Sequence, residues 1–202
     1  MKLISTFNEI ISMNALENSI HQFFGIEKVE DSKLVAGLFK RETLAKNDFF
    51  LQADKKCDKF SFLESGIIRQ FVELPKKEVT QWIGTPGYFI TDLSAFLYNT
   101  KTRWNIQALT DCNLYTINYE EYVMLNKMIP KWIELEKLFI SKCFITLENR
   151  ILNLLSLSSE ERYNYLFDEQ RDLFNQVPLQ YLASMIGMTP ETFSRIRGKK
   201  TS

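Results

Sequence analysis

The sequence predicts an α+β chain: an N-terminal β jelly-roll with flanking helices, one long helix, and a C-terminal all-α helix-turn-helix unit. Three observations carry this. Between residues 46 and 118, short runs rich in β-branched and aromatic residues are broken by turn signals. After Pro130, apolar residues recur every three or four positions over about 25 residues. The stretch LASMIGMTPETFSRIRGKK, Leu182 to Lys200, then closes the chain on a short, basic, sharply started helix.

Composition narrows the class. With 202 residues, 45% of them hydrophobic and 13% aromatic, the chain can bury a core. No apolar run approaches the roughly 18 residues of a membrane span, and the opening MKLISTFNEIISMNAL carries Asn and Glu where a secretory leader is apolar. A cytoplasmic protein without membrane contact is expected. Cys57, Cys112 and Cys143 are far apart and include no Cys-x-x-Cys pair, so neither a disulfide framework nor a metal site is indicated. His21 is the single histidine and stands beside no nucleophile motif, and no phosphate-binding or dinucleotide fingerprint occurs. An enzyme is not expected, and no resident cofactor or haem is implied.

The elements follow in order. Residues 1 to about 45 read as short helices, with LENSIHQFFGI and SKLVAGLFKRETL placing apolar residues three and four apart. FSFLESGIIRQFVEL, EVTQWIG, TPGYFI, RWNIQAL and CNLYTIN read as strands, with a tight turn at Gly66 and another at Pro86 and Gly87. So many short strands indicate a barrel or jelly roll. From about Lys131 to Leu155 a helix carries Leu135, Phe139, Cys143, Leu147 and Ile151 at four-residue steps. That stripe could lie on the barrel; the helix looks longer than a small barrel covers, and a homodimer through these residues is the preferred reading. The chain thus divides into a sensor-like unit at 1–130, a dimerisation helix at 131–156 and a helix-turn-helix at 157–202.

The net charge of zero conceals an asymmetry. Residues 158–175 hold five acids against two bases, whereas 178–202 hold Glu191 against Arg195, Arg197, Lys199 and Lys200. Positive charge at the tip is what a small module meeting phosphates needs. Leu182, Ile186, Met188, Phe193 and Ile196 would form the core between two helices, Ala183 permits a close crossing, and Gly187 supplies a positive φ. Thr189 caps the second helix, Pro190 fits its first turn and Glu191 suits the positive end of its dipole. Glu191 and Arg195 share an outward face, with Pro190, Thr192 and Ser194 nearby. Arginine can hold guanine and glutamate can accept from cytosine, while Arg197, Lys199 and Lys200 can reach phosphates.

The ending PLQYLASMIGMTPETFSRIRGKK, preceded by LENRILNLLSLSSEERYNYLF, resembles the C-terminal half of Crp–Fnr family bacterial transcription regulators, in the short form common in Bacteroidetes. FLESGIIRQF and GYFITDLSAFLYNTKTRWNIQALTDCNLYTIN are similar to the cyclic-nucleotide-binding-like domain of that family. The resemblance covers nearly the whole chain. It implies a sensor barrel, a long dimer helix, a tip that binds an inverted-repeat site in double-stranded DNA, and RNA polymerase as a further partner. Glu191 and Arg195 fall on the family's base-reading positions, and Pro190 falls where cyclic-AMP-responsive members have a DNA-contacting arginine. In those members the phosphate cassette opens Gly-Glu and closes Arg-Ser-Ala. Here it opens at Gly87 and closes Thr102-Arg103-Trp104, with Asp92 at the glutamate position, Thr102 at the arginine position and Arg103 one place off, on the opposite strand face. Cyclic AMP is therefore not expected as a ligand; another small molecule at Gly87, Asp92, Thr102 and Arg103, or none, remains open. The rival reading is a degenerate module that acts through a protein partner or another small ligand and reads no DNA.

Overall fold

A computed structural model describes residues 14–200, the side chain of Lys200 excepted. The first 13 residues of the stretch read as helical lie outside the described residues.

Two helices come first. α1 (Ala15–Phe24) starts on a reciprocal cap: the Asn14 side chain accepts from Glu17 N at 2.9 Å, and the Glu17 carboxylate accepts from Asn14 N at 3.1 Å. Its apolar face buries Leu16, Ile20 and Phe24. α2 (Val29–Ala36) ends at Gly37, and a strand, β1 (Lys40–Leu44), follows. The sequence predicted helix there. Pairing decides otherwise, because all five residues from Lys40 to Leu44 align antiparallel with Thr116 to Cys112, and ladder formation overrides a weak helical preference.

The remaining strands are β2 (Phe49–Leu51), β3 (Lys59–Ser65), β4 (Ile68–Leu74), β5 (Lys77–Gly84), β6 (Phe89–Ile90), β7 (Asn105–Ala108) and β8 (Cys112–Asn118). They form two four-stranded antiparallel sheets ordered β1-β8-β3-β6 and β2-β7-β4-β5, the antiparallel sandwich that the spacing of the runs predicts. At Gly66 (φ 97°) the chain turns so tightly against β8 that a Cβ would lie 2.5 Å from Cys112 Sγ and 2.6 Å from the Asp111 carbonyl, so only glycine fits.

Helices complete the chain: α3 (Leu93–Leu97), α4 (Tyr119–Met128), α5 (Trp132–Ser156), α6 (Ser159–Glu169), α7 (Leu173–Gln176), α8 (Leu179–Met185) and α9 (Pro190–Lys200). No helix among the described residues is long and apolar enough to cross a membrane. The first core fills the barrel and its helical flanks with aromatic rings. Phe24 stacks on Phe139 at 4.6 Å and on Trp132 at 5.0 Å, and Phe60 stacks on Phe89 at 5.1 Å. The second core, around Tyr163, Leu166, Phe174, Leu182 and Phe193, also takes in Ile67 and Ile83 at the edge of the barrel.

α5 does not carry one continuous stripe. Leu135, Phe139 and Cys143 pack on their own barrel, whereas Leu147 and Ile151 are 42% and 56% exposed. Helix geometry accounts for the split. A four-residue step advances about 400°, so four such steps swing the stripe by roughly 160°, from the barrel side to the outward side. The exposed apolar residues Phe144, Leu147, Ile151 and Leu154 instead follow the alternating three- and four-residue spacing of a coiled-coil seam, which exposed Ile133 and half-buried Ile140, itself also against the barrel core, extend at seven-residue spacing. Phe139, 4% exposed, is a residue of the barrel's core.

Candidate nucleic-acid interface and barrel site

The C-terminal helix pair is built from a small buried contact. Ala183 and Phe193 are fully buried where α8 and α9 cross, joined by Leu182, Met185 and Ile196. Met185, which the sequence reading did not name, joins this core, and Ile186 and Met188, both half-buried, pack against it. Gly187, at φ 68°, turns the chain while Met188 N donates to the Ala183 carbonyl at 3.0 Å. Thr189 Oγ1 accepts from Thr192 N at 3.3 Å, capping α9.

With Phe193 and Ile196 committed inward, the opposite face of α9 presents Pro190, Glu191, Ser194, Arg195 and Gly198 to solvent. Thr192 is half-buried beside that face, and Arg197 and Lys199 are exposed; the side chain of Lys200 lies outside the described residues. The backbone N–H of Glu191 and then the Thr189 hydroxyl hold the Glu191 carboxyl below the usual carboxylate range. The helix thus offers an ionised acceptor near its first turn and a guanidinium one turn later.

In the barrel the site residues have turned on one another. Gly87 makes the turn into β6 at φ 94°, its N–H donating to the Leu63 carbonyl at 2.9 Å. Asp92 caps α3 by accepting from Ala95 N at 3.2 Å, and its other oxygen accepts the Thr102 hydroxyl at 2.7 Å. Both side chains are buried, and Thr102 Oγ1 also accepts from Trp104 N at 2.9 Å. Arg103 does not join them: it is exposed and lies over the Trp104 ring at 5.0 Å. Asp92 is in none of the ion pairs among the described residues, and its oxygens are engaged by Ala95 N and the Thr102 hydroxyl, so the arrangement holds the loop rather than presenting a cation to an anion. One thiol lies in this region too. Burial pushes the Cys57 thiol above its ordinary value, chiefly by desolvation, despite contacts to the Thr91 hydroxyl and the Asp92 carbonyl.

A second set of contacts joins tip to barrel, and nothing in the sequence singles it out. Arg69 on β4 is 2% exposed; its guanidinium sits 3.6 Å from the Tyr181 ring centre and 4.1 Å from that of Phe71. It pairs with Glu78 at 2.7 Å and donates from Nε to Thr80 Oγ1 at 2.9 Å. Thr80 N in turn donates to Ser184 Oγ on α8 at 2.9 Å, across 104 residues of sequence. A long-range edge of this kind has no periodic signature.

The architecture has counterparts. Residues 41–125 match the family model described as cyclic nucleotide-binding domain. No curated protein matches the chain in sequence. Among solved structures, the c-di-GMP responsive global regulator CLP of Xanthomonas campestris is similar at 15% identity with a TM-score of 0.67, over 86% of this chain and 92% of that one. A putative transcriptional regulator of the Crp/Fnr family from Eubacterium rectale is similar at 15% identity and TM-score 0.68, over 90% of this chain and 88% of that one. The catabolite activator protein of Thermus thermophilus is similar at 21% identity and TM-score 0.56, over 89% and 86%. The sandwich at 41–125 thus matches the cyclic nucleotide-binding domain model, and the chain as a whole shares the fold of these solved regulators.

Proposed function

We propose that the protein is a homodimeric, sequence-specific DNA-binding transcription regulator whose barrel does not bind cyclic AMP. The observation that carries the reading is the two-sided recognition helix: Phe193 and Ile196 are buried while Glu191, Ser194, Arg195 and Gly198 face outward on one side of a capped helix. A helix so held can enter a major groove with its polar face toward base edges. In this reading residues 1–130 are the sensor, 131–156 the dimer helix and 157–202 the DNA-reading unit. The helices pair through Ile133, Ile140, Phe144, Leu147, Ile151 and Leu154, the protein works in the cytoplasm without catalysing a reaction, and RNA polymerase is a further partner. The buried Asp92–Thr102 bond supports a barrel closed to cyclic phosphates.

Selection of bound sequences from random duplexes tests the proposal. The dimer is expected to enrich an inverted repeat with half-sites about 34 Å apart. Recovery of no consensus, or binding that does not fall steeply with salt, defeats it, because phosphate contacts must release counterions.

A further inference from the structure

Where the barrel, α5, α6 and the end of α8 meet lies a cavity of about 320 Å³ whose lining includes neither the recognition helix nor the Asp92–Thr102 pair. Two guanidiniums line it, those of Arg150 and Arg162, against a single carboxylate, that of the exposed Glu169. Arg150 donates one N–H to the Met185 carbonyl at 3.2 Å and lies 4.9 Å from the centre of the Trp82 ring. It belongs to none of the ion pairs among the described residues, and desolvation pushes its pKa below the ordinary value. Arg162 donates from Nη1 to the carbonyls of Leu154 and Leu157 at 3.2 and 2.8 Å, closing the end of α5. Its Nε, and Oε1 of Gln170, are buried in the same region without hydrogen-bond partners. The unpartnered donor belongs to one of the two guanidiniums and suits an anion, and the unpartnered acceptor suits a hydroxyl or amine. Trp82, edge-on to Tyr88 at 5.6 Å, supplies an aromatic wall.

We propose that this cavity binds a small phosphate monoester carrying a planar ring, a nucleoside monophosphate in chemical class, with its phosphate on Arg150 and Arg162 and its ring against Trp82. A monoester carries about −1.5 to −2 charges at neutral pH and so matches two guanidiniums, whereas a cyclic diester carries one. Bidentate arginine–phosphate geometry and ring stacking on Trp82 supply orientation. The volume sits at the small end of ligand pockets, roughly 300–1,000 Å³. Arg150 lies about 100° round α5 from Ile151 and about 120° from Phe144, and Leu154 of the proposed seam also lines the cavity, so the cavity borders the helix pair.

Calorimetry on the full chain without DNA tests this independently of any DNA reading. Adenosine and guanosine 5′-monophosphate are expected to bind one per chain. Inorganic phosphate, guanosine and glucose 6-phosphate, each lacking ring or charge, should bind at least about tenfold more weakly. Arg150→Met should weaken the nucleotides about tenfold with an unchanged helical circular dichroism spectrum; Arg162 is left in place because it also holds α5. Trp82→Leu should erase the preference for nucleotides over glucose 6-phosphate. The proposal is overturned if neither nucleotide gives saturable heat at millimolar concentration, if Arg150→Met binds like the parent, or if glucose 6-phosphate binds as well as the nucleotides. Loss of binding in Asp92→Ala but not in Arg150→Met would overturn it too, by placing the ligand in the barrel.

Discussion

Arg195 and Lys199 stand one turn apart on the exposed side of α9, yet they are expected to do different work. Arg195→Ala should cost about 1–3 kcal/mol on the selected duplex and relax preference at one base pair, while Lys199→Ala should weaken all sequences alike and lower the salt slope by about one. Fluorescence anisotropy against selected and scrambled duplexes reads both, and an unchanged selected-to-scrambled ratio in Arg195→Ala would remove the base-reading role. The cysteines give a second test at this scale. Burial raises the pKa of Cys57, Cys112 and Cys143 alike, so all three remain thiols at neutral pH. An aromatic disulfide reagent should titrate them slowly in the native protein and rapidly in denaturant; fast native labelling of Cys57 would show that its pocket opens. The aspartate at position 92 and the threonine at 102 were legible as departures from a phosphate cassette, but their mutual hydrogen bond was not, since a sequence does not say which buried group a carboxylate will turn to. Thr102→Val should leave Asp92 short of one donor and lower stability by about 1–3 kcal/mol, measured by urea unfolding. Calorimetry with cyclic AMP should show no saturable heat in the micromolar range.

At the scale of elements, α5 separates two kinds of apolar residue that a four-residue pattern merges. Phe144→Glu with Ile151→Glu should produce folded monomers by light scattering, because a charge buried in an apolar seam is costly. Phe139→Ala should leave association intact but destabilise the protomer by about 3–5 kcal/mol, as its ring stacks on Phe24. A reversed pattern, with Phe139→Ala dissociating the dimer and Phe144→Glu leaving it whole, would exchange the two faces. Elements with strong local signals were readable from residues alone: the strands around Gly66, the long helix after Pro130, and the cap at Thr189. β1 was not, because KRETL carries no alternation of its own and becomes a strand through its ladder with β8. The same holds for Arg69, unremarkable within its strand until Tyr181 arrives from the far end of the chain.

For the molecule as a whole, the joint between tip and barrel has a consequence for how the chain comes apart. Ile67 and Ile83 belong to the tip's core although they are carried by the barrel, and Arg69 is sealed between its own sheet and Tyr181. Neither half can melt without exposing part of the other, so the two cores should lose their order in one step. Scanning calorimetry at fixed concentration is expected to give a single heat-absorption peak whose van't Hoff enthalpy, analysed per dimer, equals the calorimetric one. Arg69→Ala combined with Tyr181→Ala should split that peak in two, the smaller belonging to the C-terminal helices. Should the parent protein already melt in two stages, the joint is a loose contact. If it melts in one, a protein that reads as beads on a helix behaves thermally as a single block.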